Sequence, residues 1–138
     1  MSFKHKTPIQ VRFKDIDALG HVNNANHLTY LELARISYFN AVIGHNINWN
    51  EKGIILARVI MDFKMPVMLN DDVHVYTTCS KIGTKSFELE YLMIKDDAGK
   101  EITLASATTV MVCYDYSLKR SMPMPPEWKE KLQKFENA

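Results

Sequence analysis

One segment free of glycine and proline, followed by four stretches in which apolar and polar side chains alternate, leaves this chain few ways to fold. From about residue 25 to 42 nothing interrupts a helix; Asn23 and Asn24 are both good N-caps and Gly44 lies just past the end. At 100° per residue Leu28, Leu31, Ala34, Tyr38, Phe39, Ala41 and Val42 share one arc, with Asn26, Thr29, Ser37 and Asn40 opposite. Residues 54–64, 73–82, 86–95 and 102–114 then repeat with period two. The pattern is clearest where Phe87, Leu89, Tyr91 and Met93 alternate with Ser86, Glu88, Glu90 and Leu92. The links between these runs are short and carry turn chemistry: a proline and an Asn/Asp cluster after Lys64, a tight turn around Gly83, and a hairpin signal at Gly99. Ahead of the helix, residues 7–13 alternate as well and predict a first strand. Strand, helix, four strands is an α+β order, with one long helix to cover one face of a five-stranded antiparallel sheet. The second face and an open edge then call for an oligomer, a homodimer or homotetramer.

At 138 residues the chain is expected to be a single domain over 1–138. A short, exposed helix is expected near residues 125–135, after Pro125 and Pro126. A net charge of +1 argues against a general nucleic-acid binder. Cys79 and Cys113 lie far apart inside alternating runs, which predicts reduced, partly buried thiols and a cytoplasmic protein. The start, MSFKHKTPIQ, lacks the apolar core of a signal peptide, and no run approaches the length of a membrane span.

The stretch from Val11 to Arg35, VRFKDIDALGHVNNANHLTYLELAR, is where chemistry is expected. Asp15, Asp17 and Gly20 break the first strand, and glycine is free to take a conformation that other residues avoid. Asp17 lies seven residues before Asn24, so its carboxylate would reach a carbonyl whose oxygen rests on the unpaired N–H groups of the first helical turn. The alternative is an aspartate that only forms a turn or cap. His21 would either orient Asp17 or contact a substrate, or else bond to backbone.

Arg35 falls on the helix's apolar arc with Glu32 one turn earlier, which suggests an intrahelical pair or an interface or substrate role. Lys81, Lys85 and Lys95 are candidates for a local basic patch, although lysines at strand ends also protect edges. Arg58 in an apolar strand calls for a carboxylate or an interface. His5, His27, His45 and His74 show no metal-ligand spacing, so no metal is expected. The chain has no G-x-S-x-G elbow, P-loop or dinucleotide fingerprint.

The run DIDALGHVNN followed by HLTYLELAR resembles the signature of the hotdog-fold acyl-CoA thioesterases of the 4-hydroxybenzoyl-CoA thioesterase family. DFKMPVMLNDD and IGTKSFELEY are similar to that family's later motifs, so the resemblance spans about residues 7–115. It implies a hotdog fold, a long helix wrapped by an antiparallel sheet. It also implies hydrolysis of an acyl-CoA thioester, with coenzyme A as part of the substrate and no separate cofactor. Carried over by residue, the catalytic carboxylate is Asp17 and the oxyanion donor is the backbone N–H of Asn24; Gly20 and His21, in the loop between them, complete the candidate catalytic set. Lys85 and Ser86 would hold the coenzyme's phosphates. His27 and His21 depart from the pattern, so the acyl group is left open. Alternatives are a hydratase or dehydratase of the same fold and a non-catalytic acyl-CoA-binding module.

Overall fold

The computed structural model describes residues 2–45 and 47–138. In chain order it contains β1 (His5–Ile9), α1 (Asn24–Val42), β2 (Lys52–Phe63), β3 (Asp72–Ile82), β4 (Ser86–Asp97), β5 (Lys100–Asp115), β6 (Arg120–Ser121) and α2 (Pro126–Asn137). All strand pairings are antiparallel and the sheet runs β1-β3-β4-β5-β2, with β6 paired to the end of β5. The five expected strands are therefore joined by a sixth of only two residues, too short to leave a periodic signal.

Alternation decides which side chains face the helix. Phe87, Leu89, Tyr91 and Met93 of β4 and Ala105, Ala107, Thr109, Met111 and Cys113 of β5 are all buried, packing with Tyr30, Leu31, Ala34, Tyr38 and Phe39 of α1. In β2 an extra residue, Ala57, sits between Leu56, opposite Met111, and Arg58, opposite Val110. This bulge changes the strand's phase. Ile54 and Leu56 before it, and Val59, Met61 and Phe63 after it, all stand opposite the inward residues of β5, whereas Arg58 and Ile60 stand opposite outward ones. Arg58 is thus an exposed residue of the outer sheet face.

Three expectations need correction. The first strand occupies His5–Ile9 and stops before Phe13, which lies in a single 3₁₀ turn, Phe13–Asp15, and is 82% exposed. The apolar arc of α1 is rotated: Leu28 and Ala41 are exposed, while His27 and Tyr30 are buried; Arg35, expected on the arc, is buried as well. Finally, α2 is docked rather than exposed, with Trp128 and Leu132 buried and Phe135 packed against the core. Its few apolar residues are spaced to share one face, which a mostly charged composition obscures.

The backbone of α1 runs closest to β1 and β3. On that side the structure is closed. The Glu136 carboxylate accepts hydrogen bonds from Tyr38 Oη, from Thr78 Oγ1 at 2.7 Å and from the Cys79 N–H at 2.9 Å, beside a second bulge in β3. Lys131 Nζ donates to the Ile43 carbonyl at 3.0 Å, so α2 caps the end of α1. Towards β2, by contrast, the helix stands off and leaves a seam.

Candidate active site

Residues 15–23 fold back on themselves as a small tied loop. Ile16 bridges Val22, the Asp17 N–H donates to the His21 carbonyl at 3.0 Å and the Asn23 N–H to the Asp15 carbonyl at 3.0 Å. The Val22 N–H reaches the Val67 carbonyl at 2.8 Å, fastening the loop to the chain after β2. At its tip the Gly20 N–H closes a turn onto the Asp17 carbonyl at 3.0 Å, with Gly20 at φ +88°. A side chain there would meet no neighbour, so the need for glycine is conformational.

The two acids of this loop do different work. Asp15 is 1% exposed and accepts from Tyr30 Oη at 2.7 Å, from the Arg12 N–H at 3.1 Å, and from Arg12 Nη2 at 3.0 Å. Burial alone would raise its pKa, but the hydrogen bonds from Tyr30 and Arg12 outweigh it and hold the carboxyl below its ordinary value. Tyr30 is pushed well above the usual phenol range by burial and by this bond. Asp15 is an anchor whose oxygens are spoken for.

Asp17 is half-buried. Its Oδ1 accepts from the Leu19 N–H at 2.9 Å, and its Oδ2 lies 3.4 Å from Asn23 Nδ2. Asn23 is the N-cap of α1, its Oδ1 accepting from the Ala25 N–H at 2.9 Å. The carboxylate therefore sits at the helix tip, held at long range by one amide, as its spacing from Asn24 predicts. The first N–H groups of a helix have no partner within it. Those of Ala25 and Asn26 are taken by Asn23, and Asn24 faces a cleft of about 280 Å³ lined with His21, Phe63, Lys64, Met65 and Pro66. His21 Nδ1 lies 3.3 Å from the Val22 carbonyl oxygen, so the ring is bonded to backbone and also borders the cleft.

Lys64 and its neighbours escape a reading of the sequence alone; the available signal is the K-M-P run where a strand meets its turn. His27 is buried edge-on against Phe63 at 5.1 Å, and burial holds its pKa down, partly opposed by the Asn23 carbonyl. It is a packing residue. Arg35 is 7% exposed with its guanidinium towards Tyr91; among the described residues it makes no ion pair with Glu32.

Lys85 and Ser86 are not brought to this cleft within one chain. Ser86 pairs with Val112, whereas Phe63, at the cleft, pairs with Ala105. Seven residues of strand separate the two positions by about 24 Å. Lys95 lies at the far end of β4, 3.7 Å from Asp71, so the three lysines form no common patch.

This architecture has known counterparts. Residues 11–132 match the model of the Thioesterase-like superfamily. The long-chain acyl-CoA thioesterase FadM of Escherichia coli (strain K12) is 26% identical over 136 residues, covering 94% of this chain and 98% of that protein. The 1,4-dihydroxy-2-naphthoyl-CoA hydrolase of Nostoc punctiforme is 28% identical over 92% of this chain and 84% of its own length. Among solved structures, a thioesterase from Thermus thermophilus, complexed with coenzyme A and Zn, is 31% identical and superposes with a TM-score of 0.83, covering 99% of this chain and 96% of that one. With the single long helix against an antiparallel sheet and a family match across most of its length, this hotdog-fold chain belongs to the thioesterase-like superfamily.

Proposed function

We propose that the protein is an acyl-CoA thioesterase, hydrolysing an acyl-CoA thioester to a carboxylic acid and coenzyme A, with Asp17 as the catalytic carboxylate. The observation that carries this is the Asp17 carboxylate 3.4 Å from the N-cap Asn23, whose neighbour Asn24 lines the tip cleft with His21, although Asp17 itself is not on that lining. In this reading the thioester oxygen rests on the Asn24 N–H and the positive end of the helix dipole, where developing negative charge is stabilised. Asp17 either attacks the carbonyl carbon, displacing the coenzyme A thiolate to leave a mixed anhydride that water opens, or takes a proton from the attacking water. Gly20 and His21 shape the approach. The reaction draws on this carboxylate, the helix-tip N–H and water, with coenzyme A arriving on the substrate. The relatives named for coenzyme A thioester hydrolysis support the reading.

The separation of about 24 Å between the two candidate subsites is answered by pairing two copies. β2 has one neighbour, β5, and its other edge is open; Ile55, Leu56, Ile60 and Phe63 are exposed along it. If two β2 edges pair antiparallel about a two-fold axis, the Phe63 end of one copy meets the Lys52 end of the other. Lys52 is opposite Asp115, near the turn that carries Lys85 and Ser86, so the partner would supply the phosphate-binding pair. We further assign the protein to the cytoplasm. Both cysteines are unpaired, and among the described residues no helix is long and apolar enough to cross a membrane.

The test is thiol release from a panel of acyl-CoAs by wild type and Asp17→Asn, with sedimentation to read the assembly. Hydrolysis retained in the variant sinks the assignment of Asp17. In ¹⁸O-water, label found in Asp17 after a single turnover identifies the nucleophilic role, since a general base acquires none.

A further inference from the structure

Beyond the cleft at the helix tip, the seam between α1 and β2 opens a second time. Further along it lies a second cavity of about 470 Å³, walled by Ile36, Phe39, Trp49, Ile54, Leu56 and Met111, with Glu32 and Arg35 also on its lining. Asn24, Leu28, Glu32, Arg35 and Phe39 fall within about 80° of one another around the helix axis, so tip and cavity lie on one face. Phe63 borders the tip cleft, and Ile54 and Leu56 the cavity; all three share the inward face of β2 because of the bulge at Ala57. Leu28, exposed and apolar, lies between the two on the helix side.

We propose that this seam holds the acyl chain of the substrate, that the chain is a linear aliphatic one, and that Trp49, backed by Trp128 of α2, sets the longest chain accepted. The inference rests on the thioesterase reading and deepens it. At about 1.5 Å per residue, Glu32 lies about 12 Å and Phe39 about 22 Å from Asn24 along the axis. An extended chain advances about 1.2 Å per bond, so a hydrocarbon anchored at the tip enters the cavity after about ten bonds and meets its far wall after about eighteen. A largely apolar cavity on the same helix face as the reactive end, with exposed Leu28 between the two, suits such a chain.

The far wall is built in two layers. The Trp49 ring is 6.4 Å from Phe39 and 6.1 Å from Trp128. Trp49 is 42% exposed and Trp128 is 4% exposed. Trp128 in turn is fixed because α2 is held by Glu136 on α1 and β3, and by Lys131 on the end of α1. Trp49 is a specificity residue and Trp128 a positioning residue acting through it.

The test uses the full chain. It has two tryptophans, so Trp128→Phe leaves Trp49 as the sole reporter. Free fatty acids brominated at the methyl end should quench its emission when they have about twelve or more carbons, and ω-bromohexanoate should not. In thiol-release assays Trp49→Ala should shift the kcat/KM ratio of the longest to the shortest acyl-CoAs about tenfold towards long chains. Trp128→Ala should move it the same way by less, with Trp128→Phe restoring the wild-type profile. The proposal is overturned if quenching is absent or independent of length, or if folded Trp49→Ala keeps the wild-type profile. A change in sedimentation without a change in profile overturns it too, since the seam would then belong to a second copy. Length-dependent quenching in a protein that cleaves no thioester supports the chain site and rejects hydrolysis.

Discussion

The two flanks of α1 are built on opposite principles. On the β1/β3 side a polar network ties the helix down, with Glu136 on Tyr38, Thr78 and Cys79, and His5 Nε2 3.0 Å from Ser37 Oγ, although the Thr7 and Thr77 hydroxyls are buried without a partner. On the β2 side the helix faces a seam in which Leu28, Ile36 and Phe63 are exposed and Asp17 is held only by the Leu19 N–H and one long amide contact. The closed flank stabilises the helix, and that leaves the other flank free of structural duty. The same division is repeated in miniature within one loop, where Asp15 is fully bonded and Asp17 is not.

Substitutions on the two flanks should therefore separate activity from stability. Asp17→Asn should reduce thioester hydrolysis by about 10²- to 10⁴-fold, while denaturant midpoints stay within the roughly 0.5 kcal/mol of an ordinary surface change. A large loss of stability in that variant would erase the distinction between the two acids. Asp15→Ala should show the reverse weighting. It strips a buried hydroxyl and half of an ion pair, so it should cost about 3 kcal/mol in urea unfolding. Because the folded pKa of Asp15 is depressed, its contribution is complete above the unfolded value of about 3.9 and is lost as pH falls through the folded one. Wild type should lose this contribution in acid, and Asp15→Asn should reduce that dependence.

Glu136→Ala comes next in size. It leaves Tyr38, Thr78 and the Cys79 N–H without their acceptor and should cost about 2 kcal/mol, with faster proteolytic release of α2. Unchanged proteolysis would mean that the closed flank does not depend on this carboxylate. The smallest effect is a control touching neither flank. At the β4–β5 hairpin both central residues take positive φ, Ala98 at 54° and Gly99 at 83°. Ala98→Gly should therefore stabilise the protein by up to about 1 kcal/mol without altering hydrolysis.

Much of this is legible in the sequence because each part depends on neighbours in the chain. The strands announce themselves by alternation, the helix start by Asn23, and the hairpin by Gly99. The position of Asp17 beside the helix tip follows from a spacing of seven residues. What sequence conceals is set by partners far along the chain. The docking of α2 depends on Glu136 meeting Thr78, and the burial of His27 depends on Phe63. The end of β1 is hidden for a different reason, since Val11 and Phe13 keep an alternating pattern after Arg12 and Asp15 have already closed a turn. Lys85 and Ser86 carry the right chemistry, but only the strand register reveals how far they stand from Asp17.

The added residue in β2 has a wider consequence. A strand of uninterrupted phase could line the seam at one end only, and its other half would offer Arg58 and Ile60 to the helix. Pulling the bulge flat with Ala57 kept in the ladder would therefore do more than straighten a kink. It would turn Val59, Met61 and Phe63 outward together, strip the reactive end of its aromatic wall, and drive a guanidinium into an oily crevice.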